Sequence, residues 1–250
     1  MKVVRTVAEM KAARVAHTGF VPTMGALHAG HVSLLEAARR ENDHVVMSLF
    51  VNQAQFSSAD DFARYPRDEQ RDLGLAERAG VDIVFAPVAD ELYPPTFRTW
   101  VEPDEHGLEA AFRSGHFRAV ATVCLKLFNI VRPRLAYFGQ KDAQQVEVVR
   151  RVIRDLDLDV ELRVLPTVRD ADGLALSSRN ALLTPAQRDR ALALPRALQT
   201  RDPARARDLL DGVDVDYVEV ADFEPKVLAG AIRVGPVRLI DNVPLEGEHE

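Results

Sequence analysis

The sequence predicts an α/β protein: a doubly wound, mostly parallel, Rossmann-like sheet over residues 1–168 and a smaller α+β domain over residues 169–250. Two observations support this fold class. Short β-rich segments alternate with longer helical patterns up to about residue 168, which is typical of βαβ units and of a parallel sheet covered on both faces. Beyond that point the alternation stops, and a turn-rich stretch precedes helical patterns and then strands.

The elements of the first domain follow in chain order. Residues 1–17 are interrupted by charges every few positions and predict an amphipathic helix. Strands are predicted at 18–23, 44–52, 81–87, 134–140 and 159–168. Helical patterns are predicted at 32–40, at 60–80 with an end at Gly80, at 117–131 and at 143–156. Since ligands of such sheets bind beyond the carboxyl ends of the strands, we expect the functional residues just after each strand.

The second domain begins with a turn-rich segment at 169–185. Helices are predicted at 185–199 and 203–212, and two or more strands at 215–223 and 231–242. We find no internal repeat that would indicate a solenoid or an array.

Composition excludes several function classes. The formal net charge of -6 disfavours a nucleic-acid partner, whose polyanionic backbone would be repelled. A single cysteine, Cys124, excludes an internal disulfide and a cysteine-based zinc site, and its apolar surroundings predict an inert core thiol. No apolar stretch approaches the ~20 residues that span a bilayer, and the N-terminus does not resemble a signal peptide. We therefore expect a cytoplasmic protein with no membrane partner.

The stretch FVPTMGALHAGH, residues 20–31, carries the clearest chemical signal. His28 and His31 stand three residues apart, with Gly25 and Gly30 beside them, where a strand gives way to a helix. Spacing alone allows a metal site, a phosphate site or two ordinary polar residues. A catalytic zinc normally needs a third protein ligand, and the sequence offers no HExxH pattern or evident companion.

A phosphate site explains more of these residues. The start of a helix presents free backbone N–H groups and a positive dipole end to an anion. Glycines let the backbone approach closely, and two imidazoles on one helical turn can donate hydrogen bonds to phosphate oxygens or stabilise charge that develops during phosphoryl or nucleotidyl transfer. Neither a P-loop nor a GxGxxG fingerprint is present.

Five stretches together resemble one enzyme family: PTMGALHAGH, SLFVNQAQF, FARYPR, YFGQKDAQQ and DGLALSSRN. They are similar, in order and spacing, to the signatures of the pantothenate synthetase (pantoate–β-alanine ligase) family, which carries a variant of the HxGH nucleotidyltransferase motif. Relatives of that motif alone also occur in class I aminoacyl-tRNA synthetases and in small-molecule cytidylyl- and adenylyltransferases. The resemblance runs from about residue 5 to the end and is densest between residues 20 and 183.

The resemblance implies roles for residues that match the family motifs. His28, His31 and Lys141 would be catalytic, Gln55 and Gln145 would bind pantoate, Gln55 would also contact β-alanine, and Asn52 would stand beside them. ATP would be bound by Met24, Gly25, Ala26, Leu27, His28, Ala29, Gly30, His31, Gly139, Gln140, Lys141, Asp142, Val168, Leu176, Ser177, Ser178 and Arg179. Gln53 stands where the family usually has proline, so this loop is expected to be less rigid.

The implied reaction condenses pantoate and β-alanine through a pantoyl adenylate, with release of AMP and pyrophosphate. ATP would be a substrate accompanied by Mg²⁺, and no tightly bound organic cofactor is expected. Asp72 is a candidate metal-side carboxylate, with an exposed charge on a helix face as the alternative. The resemblance also suggests a homodimer through the N-terminal domain and a C-terminal lid whose SSRN loop closes over ATP.

Three other functions stay open on the sequence. They are another small-molecule nucleotidyltransferase of the HxGH type, a protein similar to an aminoacyl-tRNA synthetase, and a silent nucleotide-binding module. Acidity and the lack of an anticodon-binding extension count against the second, and the joint presence of His31, Lys141 and Arg179 counts against the third.

Overall fold

A computed structural model of the protein describes residues 1–245. Its strands are β1 (Lys2–Val4), β2 (Thr18–Thr23), β3 (His44–Leu49), β4 (Ile83–Phe85), β5 (Leu135–Gly139), β6 (Glu161–Leu165), β7 (Asp214–Ala221), β8 (Val227–Val234) and β9 (Val237–Pro244). Its α-helices are α1 (Val7–Ala12), α2 (Ala29–Glu41), α3 (Ala59–Arg64), α4 (Glu69–Arg78), α5 (Ala89–Leu92), α6 (Leu108–Phe112), α7 (His116–Val131), α8 (Ala143–Asp155), α9 (Pro185–Ala191), α10 (Ala193–Leu198) and α11 (Pro203–Leu209). Single 3₁₀ turns occur at Gln53–Gln55, Gln140–Asp142 and Ser178–Leu182.

The first sheet is parallel throughout and has the strand order β1-β4-β3-β2-β5-β6. The order reverses between β2 and β5, so the chain leaves the carboxyl ends of these neighbouring strands in opposite directions. A crevice forms at such a switch point, and this is where doubly wound sheets bind ligands. The predicted Rossmann-like class is confirmed.

Both faces of this sheet are buried, as a parallel sheet requires. Phe20 and Phe138 point to the face that α7 and α8 cover, and both are at most 5% exposed. Val21 and Tyr137 point to the other face, where α2 packs. Successive side chains along β2 and β5 point to opposite faces of the sheet. This alternation therefore decides on which face each residue near the carboxyl ends of these strands lies.

The second sheet is antiparallel, with the order β7-β8-β9, and α10 packs against it. Close approach of the helix is possible because β8 carries Gly230, where a Cβ would lie 2.9 Å from Leu194 Cδ1. The smaller α+β unit is confirmed, and it has three strands among the described residues. The proposed boundary at 168/169 falls just after β6.

Several predicted elements were wrong or imprecise, and the following ones show the physical reasons. Residues 1–17 form the short strand β1 and the six-residue α1 rather than one helix, because Lys2–Val4 pair with Ile83–Phe85 at the sheet edge. The helical region at 60–80 is divided into α3 and α4: Pro66 disfavours helical geometry at Tyr65, and Asp68 caps the second helix. The strand predicted at 44–52 ends at Leu49.

Among residues 1–245, no helix has both the length and the apolar character that crossing a membrane requires.

Candidate active site

A pocket opens at the switch point between β2 and β5, with the segment after β6 and the end of β9 on its other side. Most of the residues predicted from the sequence line it. They are Met24, His28, Gly30, His31, Asn52, Gln55, Gly139, Lys141, Asp142, Gln145, Val168, Leu176, Ser177, Ser178 and Arg179. Gly25, Ala26, Leu27, Ala29, Gln140 and Asp72 are outside this lining.

The loop between β2 and α2 has an unusual backbone. Gly25 and Ala26 adopt positive φ values of 80° and 50°. A Cβ on Gly25 would lie 2.8 Å from Leu49 Cδ1 and 2.9 Å from Asp72 Oδ2, so only glycine fits without displacement of its neighbours. The loop therefore turns sharply enough to start α2 beside the pocket.

The first turn of α2 fixes both histidine rings. His28 is the N-cap residue, and its Nδ1 accepts a hydrogen bond from the backbone N–H of Gly30 at 3.2 Å. The N–H of His28 in turn donates to Nδ1 of His31 at 3.3 Å. Because both δ nitrogens accept, a neutral ring carries its proton on Nε2 in each case.

Electrostatics keep these rings neutral at neutral pH. Burial lowers the pKa of His28 to about 4, and the positive charge of Lys141 adds to this shift. Burial lowers the pKa of His31 to about 3, with His28 and Lys141 as further causes. Both histidines line the pocket, and each carries its N–H on Nε2, a donor that suits an anion and does not suit a metal ion.

The described residues also contain no group of three or more His, Cys, Asp or Glu side chains placed to hold a metal ion. Of the three interpretations that the spacing allowed, the geometry favours the phosphate site.

Asp72 has a role that neither sequence interpretation foresaw. Its side chain is 1% exposed, so the alternative of an exposed helix-face charge is wrong. Its Oδ2 accepts from the backbone N–H of Ala26 at 2.7 Å and its Oδ1 from that of Leu27 at 2.8 Å. Arg71 on the same helix donates to the carbonyl of Leu27 at 3.0 Å. Because both of its oxygens accept from backbone N–H groups of the loop, Asp72 holds the segment that carries the two histidines in place. The same contacts argue against Asp72 as a metal ligand.

The second strand–helix junction carries Lys141. It follows β5, its side chain is 18% exposed, and its Nζ lies 3.8 Å from Asp142 Oδ1. Gln140 is buried, and its Nε2 donates to Asn242 Oδ1 at 3.4 Å. The two junctions of the sheet thus place one ammonium group and two imidazole donors around the same space.

Neutral amides occupy the adjoining part of the pocket. Asn52 and Gln55 are buried, and the Nδ2 of Asn52 donates to Gln55 Oε1 at 3.2 Å. Gln53 is exposed and begins the 3₁₀ turn, a first-turn position where the fixed φ of proline is also suitable. The expected loosening of the loop by Gln53 stays a prediction.

Two residues that the sequence did not indicate hold the backbone of Gln55. The carbonyl of Gln55 accepts from Nδ1 of His116 at 3.0 Å and from Nη2 of Arg113 at 3.3 Å. Burial, with the nearby charge of Arg113, lowers the pKa of His116 to about 4. The segment RSGHF, at the start of α7, offers only a Gly–His pair as a signal.

The SSRN segment follows a hairpin that begins after β6. Val168 and Leu176 are joined by a backbone hydrogen bond of 3.0 Å, and Arg169 pairs with Ala175. Ser177 caps the next turn by accepting from the N–H of Arg179 at 3.2 Å. The guanidinium of Arg179 lies 3.4 Å from Asp61 on α3.

Tyr65 links α3 to the same segment. It is 7% exposed and lines the pocket. Burial raises the pKa of its hydroxyl, although a hydrogen bond with Ser178 and the charge of Arg179 oppose that shift. The stretch FARYPR, which contains this tyrosine, belongs to the family resemblance, but its pattern indicates no role for the hydroxyl.

A family model described as pantoate-beta-alanine ligase matches residues 2–244. Curated relatives are similar over the whole chain. Pantothenate synthetase from Chloroflexus aurantiacus is 52% identical over 279 aligned positions, with 99% of each chain covered. Pantothenate synthetase from Roseiflexus castenholzii is 49% identical over 277 positions, with 98% of this chain and 100% of the relative covered.

Solved structures agree with this likeness. Pantothenate synthetase from Thermus thermophilus superposes with a TM-score of 0.95 at 43% identity, and the match covers 99% of this chain and 100% of that chain. Pantoate-beta-alanine ligase from Francisella tularensis, in complex with beta-gamma ATP and beta-alanine, has a TM-score of 0.88 at 33% identity, with 99% and 98% covered. Both share the parallel six-stranded sheet and the small antiparallel sheet with this chain.

Proposed function

Since the chain belongs to the pantoate-beta-alanine ligase family, we propose that it condenses pantoate with β-alanine in an ATP-dependent reaction, through an enzyme-bound pantoyl adenylate. The products would be pantothenate, AMP and pyrophosphate. The Francisella relative was solved in complex with beta-gamma ATP and beta-alanine, which supports two of the three substrates.

One observation carries this proposal: His28, His31 and Lys141 line one pocket together with the amide residues Asn52 and Gln55, and both imidazoles keep their protons on Nε2. The cationic and donor groups suit the phosphates of ATP. The neutral amides suit a hydroxy acid whose carboxylate must stay free to react.

The chemistry requires no protein nucleophile. In the first step a carboxylate oxygen of pantoate attacks the α-phosphorus of ATP, the bond from that phosphorus to the β-phosphate oxygen breaks, and pyrophosphate leaves. In the second step the amine of β-alanine attacks the acyl carbon, the acyl–oxygen bond breaks, AMP leaves and the amine loses a proton. The enzyme contributes orientation and stabilisation of the charge that develops on the phosphates.

The carboxylates of the pocket bear on the role of Mg²⁺, which would arrive together with ATP. Among the carboxylates that line the described pocket, Glu109 is paired with Arg238 and Asp241 with Arg169, each through two hydrogen bonds. Asp142 faces the pocket with a half-exposed carboxylate and is the residue that would contact the hydrated ion. Bound Mg²⁺ would neutralise phosphate charge.

The proposal is tested by exchange of labelled pyrophosphate into ATP. We expect exchange that depends on pantoate, and formation of AMP and pantothenate in equal amounts once β-alanine is added. Exchange supported by an unrelated acid, an amino acid or a nucleotide acceptor instead of pantoate would favour another nucleotidyltransferase of the HxGH type. Absence of exchange with every acid would favour a silent nucleotide-binding module.

Replacing Lys141 tests the phosphate assignment of the second junction. Lys141→Ala is expected to lower exchange about 10- to 100-fold, because a charge-assisted hydrogen bond contributes roughly 1.5–3 kcal/mol. Lys141→Arg should recover little, since a planar fork does not reproduce a compact ammonium in a site where the side chain is 18% exposed. Full activity of Lys141→Ala would remove the residue from the site.

The C-terminal region is proposed as a lid whose SSRN segment closes over ATP and excludes water from the adenylate, a reactive mixed anhydride. The pairing of Arg179 with Asp61 on α3 supports contact between this segment and the first domain. Arg179→Ala is expected to slow adenylation about 10- to 100-fold and to raise the ratio of AMP released to pantothenate formed. Arg190→Ala, an exposed change on α9, is the control. A ratio that stays at one while adenylation is measurable would contradict the lid.

A homodimer through the N-terminal domain and a cytoplasmic location complete the proposal. Light scattering on the purified protein tests the first, and fractionation of cells that express the native chain tests the second.

A further inference from the structure

Two neighbouring residues on β9 contact both segments that the proposed function places against ATP. Asp241 and Asn242 are each 3% exposed. Successive residues of a strand point to opposite faces, so the two side chains reach different parts of the molecule. Pairing of β9 with β8 sets their position, since Asp241 lies opposite Gly230 and Asn242 opposite Ala229.

Asn242 holds the Lys141 segment through its amide. Its Nδ2 donates to the carbonyls of Gln140 and Lys141, both at 2.9 Å. Its Oδ1 accepts from the side chain of Gln140 at 3.4 Å. Both donors and the acceptor of this buried amide are thus used, and no other side chain of similar size supplies two donors and one acceptor.

Asp241 holds the base of the hairpin that leads to the SSRN segment. Its Oδ2 accepts from Nη1 of Arg169 at 2.6 Å, and its Oδ1 accepts from Nη2 at 3.0 Å. The same guanidinium donates to the carbonyl of Gly173 at 3.2 Å, so it spans the hairpin. A bidentate pair of this kind fixes orientation as well as distance.

The strand that carries this pair is anchored elsewhere. Arg238, also on β9, makes two hydrogen bonds of 2.7 Å to Glu109 on α6, and Tyr217 donates to the same carboxylate at 2.9 Å. Loss of the Asn242 or Asp241 contacts therefore leaves β9 attached to the first domain. A change at either residue acts locally, on the segment that it holds.

We propose that Asn242 and Asp241 are positioning residues for adenylation: Asn242 sets the place of Lys141, and Asp241 sets the place of Arg179 through the hairpin. One strand of the second sheet thereby fixes the spacing of the two cations that face the phosphates. This inference rests on the proposed function, because it assigns both cations to ATP.

The test measures binding of α,β-methylene ATP with Mg²⁺ by calorimetry. This analogue is chosen because the bond replaced in it is the one that adenylation breaks. Asn242→Ser, which keeps one donor, is expected to weaken binding about 3- to 10-fold, and Asn242→Asp more, since its carboxylate would face two carbonyl oxygens. Should Asn242→Asp fail to fold, Asn242→Ser carries the test.

Asn42 provides the matched control. It is also a buried asparagine, it is not part of the pocket lining, and its Nδ2 donates to the carbonyl of Ala38 at 2.8 Å and to the hydroxyl of Tyr137 at 2.7 Å. Asn42→Ser should lower the melting temperature as Asn242→Ser does and leave the affinity for the analogue unchanged.

Double-mutant cycles separate positioning from a general loss of structure. Asn242→Ser should be non-additive with Lys141→Ala and additive with Arg179→Ala, whereas Asp241→Asn should show the reverse pattern. We expect a departure from additivity of at least about threefold in affinity for each coupled pair. Additivity in all four combinations, or equal loss of affinity in Asn42→Ser, would overturn the inference.

Measurements on the wild-type protein distinguish a failure of the proposed function from a failure of the positioning role. If this protein fails to bind the analogue or to support pantoate-dependent exchange, the proposed function fails. If it does both while the cycles are additive, the proposed function stands and the positioning role of the β9 pair fails.

Discussion

Replacement of His31 by alanine is expected to reduce pantoate-dependent pyrophosphate exchange by about 10²–10³-fold while the fold is retained. The ring is neutral because burial lowers its pKa to about 3, and its Nδ1 accepts from the N–H of His28 at 3.3 Å. The remaining Nε2–H would therefore be a fixed donor to the phosphates that the proposed function places in this pocket. A donor that is already oriented gains most as charge develops in the transition state, so the loss should appear mainly in the rate.

Measurement of exchange at saturating ATP and pantoate, with circular dichroism as a check on folding, decides the outcome. His106→Ala is the control, since His106 is an exposed histidine that pairs with Asp104 outside the pocket. His31→Gln should recover part of the rate, because a glutamine amide can place a donor near the position of Nε2. Near-normal exchange in His31→Ala would show that the phosphate interpretation of this motif is wrong.

His28→Ala should also lower exchange, but its effect should be divided differently between rate and binding than that of His31→Ala. His28 is the N-cap of α2, so its loss also removes the acceptor for the N–H of Gly30. We expect a larger share of its effect on the affinity for ATP, which the same calorimetric binding measurement detects.

The parallel sheet was predictable because its central strands are long enough to show a pattern. β2 and β3 each contain six residues with nearly continuous burial, and long helices separate the strands. The position of the candidate site followed from the same pattern, since Lys141 lies in the turn after β5, and His28 and His31 lie where the loop after β2 leads into α2. A parallel sheet brings the ends of neighbouring strands together whatever their separation in the sequence.

Short edge elements were not predictable in the same way. β1 has three residues, too few to reveal a period of two, and it is a strand only because β4 offers it an edge. The helices α5 and α6 have four and five residues, which is also too short for a helical period to be visible. Tertiary pairing decides the conformation of such segments.

The sequence did not indicate the residues that support the site, and the reason is a different one. Asn242 acts on Lys141 from about 100 positions away in the sequence, as the hydrogen bond to the Lys141 carbonyl records. His116 likewise contacts Gln55 over 61 positions. Contacts of this kind carry no local pattern, and the residue types involved are also common in ordinary cores and turns.

Asp72 is the residue whose replacement should most affect both stability and activity. The backbone N–H groups of Ala26 and Leu27 lose their acceptor in Asp72→Ala, and each buried donor left unsatisfied costs about 1–3 kcal/mol. The free energy of unfolding should therefore fall by roughly 2–6 kcal/mol. Because the freed loop includes the positive φ values of Gly25 and Ala26, we also expect the His28–His31 turn to lose its orientation.

The second expected consequence of Asp72→Ala is a fall in exchange of about 10²-fold or more at a temperature where the variant is folded, since misplaced donors no longer meet the phosphates. Asp82→Ala is the control: Asp82 also accepts from a backbone N–H, that of Val45 at 2.8 Å, and pairs with Arg39 at 2.9 Å, outside the pocket lining. It should lower the melting temperature and leave exchange intact. Asp72→Asn should be intermediate, because its amide keeps one acceptor and turns a donor toward the second N–H. Normal exchange by folded Asp72→Ala would mean that the loop holds the histidines without its carboxylate anchor, and that Asp72 contributes to stability alone.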